Sequence, residues 1–307
     1  MNENLSIKRR LPDGSVSIVH PFHVCTLGLE DRVIFRDEED LKMAHNMFPI
    51  CAQRSNVIVV IDCAIHTHVH GLVLARNYNE AKSFINNYKI STSKYLTNKY
   101  GNGKALMTYR EIEAKPVYIE DIYHLRNSIC YIPRNSLDLG IRPDNYRWSG
   151  YRALFCNGRI ETPTRTISEI NYRDRRKMFH TSAIPEGVDW QVTDDGIIEP
   201  ASYCDWRYAE DAFGGKLSFF QKIMGLTDDA QMEQEFVINT IKMATPDELL
   251  KVIEDKCNKR YSRPRSELSF IQLIPIIKMT YYSHKTTKAQ LARCFGLTKD
   301  QIEFALK

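Results

Sequence analysis

The sequence predicts an α+β protein: a small layer domain followed by a mainly helical C-terminal region. Three observations carry that prediction. Strand-like and helix-like segments alternate over roughly the first 150 residues. From about Gly215 onward the apolar spacing is helical. At 307 residues the chain is long for one domain and comfortable for two, and its 43% hydrophobic content can fill a sizeable core.

The elements follow in order. "VSIVHPFHVCTLGL" (16–29) reads as β structure, with Pro21 marking an edge or a bend. "RDEEDLKMAHNMFPICAQR" (36–54) reads as a helix whose acidic start complements the macrodipole. "NVIVVIDCAI" (56–65) is a buried strand that runs on into three histidines. "NYNEAKSFINNYKISTSKYLTNKYG" (77–101) is a second helix, basic and tyrosine-rich toward its end. "NGKALMTYREIEAKPVYI" (102–119) reads as extended. "EDIYHLRNSICYIPRNSLDLG" (120–140) is a third helix ending near Gly140.

Beyond Tyr151 the pattern loosens. Residues 156–215 read as a basic linker or extension of unknown fold, polar in "RIETPTRTISEINYRDRRKMFH" and turn-rich in "PEGVDWQVTDDGIIEPASYCDW". Residues 216–307 read as a helical domain, with an amphipathic helix at 247–261 and a more buried one at 265–282 interrupted by Pro275. "KAQLARCFGLTKDQIEFAL" (288–306) fits a helix-turn-helix: Ala292 permits close packing, Gly296 makes the turn and Thr298 caps the second helix.

Bulk properties narrow the function. A net charge of +4 does not by itself announce a nucleic-acid partner. The longest apolar run is about ten residues and contains Asp62, too short to span a bilayer. The opening "MNENLSIKRRLPDG" has no apolar signal core, and the eight scattered cysteines form no C-x-x-C pair. The expectation is a cytoplasmic protein with reduced thiols and no membrane partner.

His66, His68 and His70 recur at every second position in "IDCAIHTHVHGLVL". On one strand that period directs all three to one face, with alternate Cα atoms about 7 Å apart. Imidazoles so placed can share a divalent metal. A half-buried structural histidine is the plainer alternative for any one of them. The third helix carries two tyrosine–asparagine pairs at i,i+4, Tyr123 with Asn127 and Tyr131 with Asn135, and spacing does not choose between them.

"HTHVHGLV", with its His68-Val69-His70, resembles the His-hydrophobe-His motif of HUH endonucleases. "FHVCTLGLEDRVIFRDEEDL" is similar to the opening of single-tyrosine transposases, especially the REP-associated group, through Phe35, Arg36, Asp37 and Asp40. "YIPRNSLDLGIRPDNYRWSGY" resembles that group's closing stretch through Tyr131, Ile132, Asn135, Gly140, Tyr146, Trp148, Ser149 and Tyr151. The likeness covers roughly residues 16–155, and on it residues 1–155 are taken as the nuclease/transposase domain. Three departures accompany it. Leu27 stands where the family often has arginine, Ser136 replaces a proline, and Pro133 falls inside the tyrosine helix, where it predicts a kink or a fresh turn.

The resemblance implies an HUH-type antiparallel sheet and a metal-dependent single-stranded DNA endonuclease and strand transferase. Tyr131 would be the nucleophile that forms a 5′-phosphotyrosine. His68, His70 and Asn135 would hold Mg²⁺ or Mn²⁺. The substrate would be hairpin-containing DNA in transposition-like recombination. The site would be built within one chain or shared across a homodimer. His66 would be a candidate proton acceptor, with a polar strand-face residue beside the site as the alternative.

Basic and aromatic residues suited to single strands lie at Lys94, Tyr95, Lys99 and Lys104, with Arg175 and Arg176 further on and Lys299 and Gln301 in the last helix. A solvated helix face explains the first group equally simply, and a structural αα-hairpin the last. The alternative to the enzyme is a domesticated protein that grips hairpin DNA without cutting it.

Overall fold

The computed structural model describes residues 5–26, 33–160, 164–182, 184, 187–227, 246–283 and 288–306. The chain divides into two units, Met1–Asp229 and Ala230–Lys307. Residues 156–215 therefore belong with the first unit and are not a linker.

In the first unit β1 (Ile7–Arg10), β2 (Val16–Cys25), β3 (Ile58–Ala64) and β4 (Val69–Ala75) form an antiparallel sheet in the order β1-β2-β4-β3. The short β5 (Val117–Tyr118) pairs with Phe22 and His23 on the same edge of β2 as β1. Pro21 sits between those two pairings, where its missing N–H costs no ladder bond on that edge, and its carbonyl accepts from Ile119.

α1 (Glu38–Arg54) begins at Asp37, whose side chain accepts the Asp40 amide, as the acidic start predicts. With α2 (Tyr78–Tyr100), capped by Asn77, it covers one face of the sheet. Phe48, Phe84 and Tyr88 interlock edge to face beneath them. The segment read as extended holds instead a helix, α3 (Lys104–Glu111). Lys-Ala-Leu-Met are good helix formers, and Leu106 and Tyr109, three apart, are buried. Only Val117 and Tyr118 remain as strand.

The opposite face is covered by α4 (Ile122–Arg134), N-capped by Asp121. Its buried stripe runs through Leu125, Ser128, Ile129 and Ile132. Pro133 does not break the element in its middle. The α-helix ends one residue later and tightens into a 3₁₀ turn, Asn135–Leu139, closed by left-handed Gly140.

The closing stretch forms a cover for the free edge of β3. Ser149 bridges Cys63, the Ala64 amide donates to the Trp148 carbonyl, and the Tyr146 hydroxyl donates to the Ala64 carbonyl at 2.6 Å. Residues 156–215 continue that cover. They hold the two-stranded pair β6 (Thr164–Thr166) and β7 (Gln191–Thr193), with α5 (Tyr172–Phe179) and α6 (Trp206–Asp211). Asn46 bonds both Gly196 and Ile198, the Asp205 amide donates to Val59, and Tyr203 donates to Asp62. α7 (Leu217–Met224) follows, with Phe220 against Phe213 and Phe155.

The described residues of the second unit hold four α-helices: α8 (Pro246–Tyr261), α9 (Phe270–Ser283), α10 (Lys288–Phe295) and α11 (Lys299–Leu306). Leu249, Ile253, Ile276, Leu291, Phe295 and Ile302 form its core. α9 runs through Pro275 without interruption. Gly296, with φ +66°, makes the turn between α10 and α11. Among the described residues no helix is long and apolar enough to cross a membrane. All eight cysteines are unbridged.

Candidate active site

The histidine strand of the sequence reading is a hairpin. β3 stops at Ala64 and β4 starts at Val69, so residues 65–68 form the connection, closed by an Ile65 amide bond to the His68 carbonyl at 2.9 Å. The period-two argument therefore fails for His66. Its Nδ1 meets the Phe35 carbonyl at 2.6 Å, and its own carbonyl accepts from Ile34 and Phe35. The Phe35-Arg36-Asp37 stretch thus clamps the hairpin turn and starts α1. His66 is a structural partner of that clamp.

His68 and His70 do stay together, with ring centroids 4.7 Å apart. In the sheet register Cys25 pairs with His70 and His23 with Leu72, so these side chains share the face under α4. Tyr131 projects from α4 onto them. Its hydroxyl lies 3.4 Å from His70 Nε2, and its ring is 5.1 Å from the His70 ring and 5.8 Å from that of His23. One turn on, Asn135 Oδ1 lies 3.1 Å from His68 Nε2. The Asn135 amide nitrogen donates back to the Tyr131 and Ile132 carbonyls, which fixes the amide oxygen toward the imidazole. Residues at 68, 70, 131 and 135 therefore meet in one place. Tyr123, the other tyrosine of α4, is 72% exposed and Tyr131 2%.

Burial sets the charge of this wall. It pushes His68 down to about 4, against the opposing pull of its Asn135 bond. It holds His23 and His70 well below the usual imidazole range, helped by the neighbouring histidines. All three are neutral near pH 7, the form in which imidazole binds metals. Among the described residues no three histidine, cysteine or acidic side chains converge as a metal cluster. The donor set is two imidazoles and an amide oxygen. Of the two ions expected from the resemblance, Mn²⁺ would accept the two imidazole nitrogens more readily than Mg²⁺, which prefers oxygen donors and keeps its waters.

Sequence reasoning missed two neighbours. His23 Nε2 lies 3.1 Å from His70 Nδ1, and Cys25 Sγ 3.6 Å from His70 Nε2. The signal was present in "FHVC", where both stand at period two on β2, but their meaning depends on register with β4.

The basic and aromatic residues are dispersed among different tasks. Lys94 is exposed on α2. Tyr95 is partly buried, with its ring 4.7 Å from that of His180, and burial pushes its hydroxyl up to about 12. Lys99 forms ion pairs with Asp37 at 2.8 Å and buried Asp40 at 2.7 Å, joining the end of α2 to the start of α1. The Lys104 side chain, like Leu27 and Gly28, lies outside the described residues. Arg175 is partly buried and Arg176 exposed on α5. Lys299 is exposed at the start of α11, whereas Gln301 exchanges hydrogen bonds with Thr298 as a capping pair.

No family model, curated protein or solved structure matches the chain.

Proposed function

We propose that the first unit is a metal-dependent endonuclease and strand transferase for single-stranded, hairpin-containing DNA, with Tyr131 as nucleophile. One observation carries this reading. A phenol hydroxyl, two neutral imidazoles and an oriented amide oxygen form two hydrogen-bonded pairs, Tyr131 with His70 and Asn135 with His68, drawn from positions 61 and 67 residues apart, and the two imidazoles stand 4.7 Å apart between ring centroids. Unrelated packing has no reason to gather those four groups on one face.

His68, His70 and Asn135 would hold Mg²⁺ or Mn²⁺, which supplies charge neutralisation at the phosphate and favours the phenolate. The protein side chains account for the rest. Tyr131 Oη attacks the phosphorus, the P–O3′ bond breaks, and the 3′-hydroxyl leaves with a proton. The DNA 5′-phosphate stays on Tyr131 as a phosphodiester. Reversal by another 3′-hydroxyl joins strands without ATP. α4 fixes Tyr131 against the sheet, so attack geometry is set by packing already present.

Hairpin binding without cleavage is the second reading, and the 2% exposure of Tyr131 favours it, since a strand must reach a covered hydroxyl. Incubating hairpin oligonucleotides bearing a single-stranded flank with the full chain and Mn²⁺ separates the two. Cleavage with a covalent adduct mapped to the Tyr131 peptide, lost in Tyr131→Phe, supports the enzyme. Tight hairpin binding with no adduct supports the binder. An adduct at Tyr123 refutes the assignment of Tyr131.

A further inference from the structure

We infer that His23 is a positioning residue for this site: its Nε2 accepts the Nδ1–H of His70 and so keeps the His70 Nε2 lone pair aimed at the Tyr131 hydroxyl. The inference rests on the reading of His68 and His70 as the working imidazoles. It assigns a task to a residue outside that set.

The geometry is specific. The two ring nitrogens are 3.1 Å apart and the ring centroids 5.2 Å apart. His23 is fully buried in β2, paired with Leu72 of β4 on one side and Val117 of β5 on the other. A ring rooted in the middle of three strands has little freedom to swing away. A neutral imidazole carries one N–H and one bare nitrogen, so a contact between two of them runs in a single direction and fixes both tautomers.

The surroundings of His70 choose that direction. Its Nε2 faces the Tyr131 hydroxyl at 3.4 Å and the Cys25 thiol at 3.6 Å. Both groups carry a proton, and a bare Nε2 is the acceptor that suits them. The His70 proton is then on Nδ1, and His23 Nε2 must accept it. Metal-binding histidines commonly donate their second N–H to a carboxylate, carbonyl or water, which orients the ring. An imidazole performs the same orientation without adding a charge to a buried wall.

The test begins with the wild-type full chain and no metal. Long-range ¹H–¹⁵N spectra of histidine-labelled protein report which nitrogen of each ring bears the proton. The expected result is Nδ1–H on His70. Nε2–H on His70 overturns the inference outright, with no variant needed. His23→Leu is expected to lose the fixed tautomer and to weaken Mn²⁺ binding, read by electron paramagnetic resonance, by about 10–100-fold. His23→Gln, whose amide oxygen can stand near the lost Nε2, is expected to restore most of both. A folded His23→Leu that keeps the wild-type tautomer and Mn²⁺ affinity also overturns it. Neither spectrum depends on cleavage. A fixed His70 tautomer in a protein that never cuts DNA leaves the role of His23 standing and removes only the endonuclease reading.

Discussion

Acidification should destabilise the first unit through the histidine wall, and the size of the effect follows from His68. Its folded pKa of about 4 lies below the ordinary value of 6.5 because burial disfavours the imidazolium. Below pH 6.5 the unfolded chain takes up a proton that the folded chain refuses. The stabilising contribution is therefore complete above pH 6.5 and is lost as pH falls toward 4. Each pKa unit corresponds to about 1.4 kcal/mol, so the ceiling between pH 7.5 and pH 5 is about 2 kcal/mol. His68 is only partly buried, and solvent screening lowers the expected figure to about 1 kcal/mol. His23 and His70 shift in the same direction and add to it. All three tryptophans, Trp148, Trp190 and Trp206, lie in the first unit, so their fluorescence reports on it alone. Urea titrations of wild type and His68→Gln at the two pH values provide the comparison. Wild type should lose about 1 kcal/mol more than the variant. Equal losses would refute a partly buried His68 held neutral in the folded state.

Other consequences are open to the same titration. Gly71→Ala should cost about 1–3 kcal/mol, because a Cβ there would come within 2.3 Å of the Phe48 ring, which Phe84 and Tyr88 hold in place. Lys99→Met should cost about 2 kcal/mol by removing the ammonium from buried Asp40, and Asp40→Asn in the same chain should recover part of it. A lysine that only touches DNA would leave stability unchanged. Lys89 is buried between α2 and α3, and burial lowers its amine to about 8. The unfolded chain keeps that proton to higher pH, so stability should rise by about 2 kcal/mol between pH 8 and 10, and Lys89→Met should flatten the rise.

The sequence was most legible where one periodicity filled a whole element. α1 and α2 stand close to their expected bounds because each combines a polar N-cap with an apolar stripe, whereas α4 starts as expected but ends at Arg134, where the chain tightens into the 3₁₀ turn that reaches Gly140. The hairpin was misread for a physical reason. Its connection, Ile-His-Thr-His, contains neither glycine nor proline, so nothing in the composition interrupts the strand pattern. Residues 156–215 were illegible because their order comes from long-range contacts: Asn46 to Gly196, Tyr203 to Asp62 and Arg9 to Asp205. None of these leaves a local period. His23 was invisible for the same reason, since its partner lies 47 residues away and the register joining them is a property of the folded sheet.

The two tyrosines of α4 show what a sheet adds to a helix pattern. Tyr123–Asn127 and Tyr131–Asn135 have identical spacing, so helix geometry alone treats them alike. Eight residues carry the second pair about 12 Å along the axis and rotate it by roughly 80°. That displacement separates a ring over the His23–His70 contact from one standing in solvent at the first turn. As the proposed nucleophile, Tyr131 would need neighbours that can accept its proton and orient its lone pair. Tyr131 has His70 at its hydroxyl and, one turn on, an Asn135 whose amide is tied to the helix carbonyls. The burial that makes Tyr131 hard to reach is thus the same packing that orders its partners. Of the site residues His68 alone is partly exposed, while His23, His70, Tyr131 and Asn135 are buried, so on the proposed reading a DNA strand would approach from the His68 side.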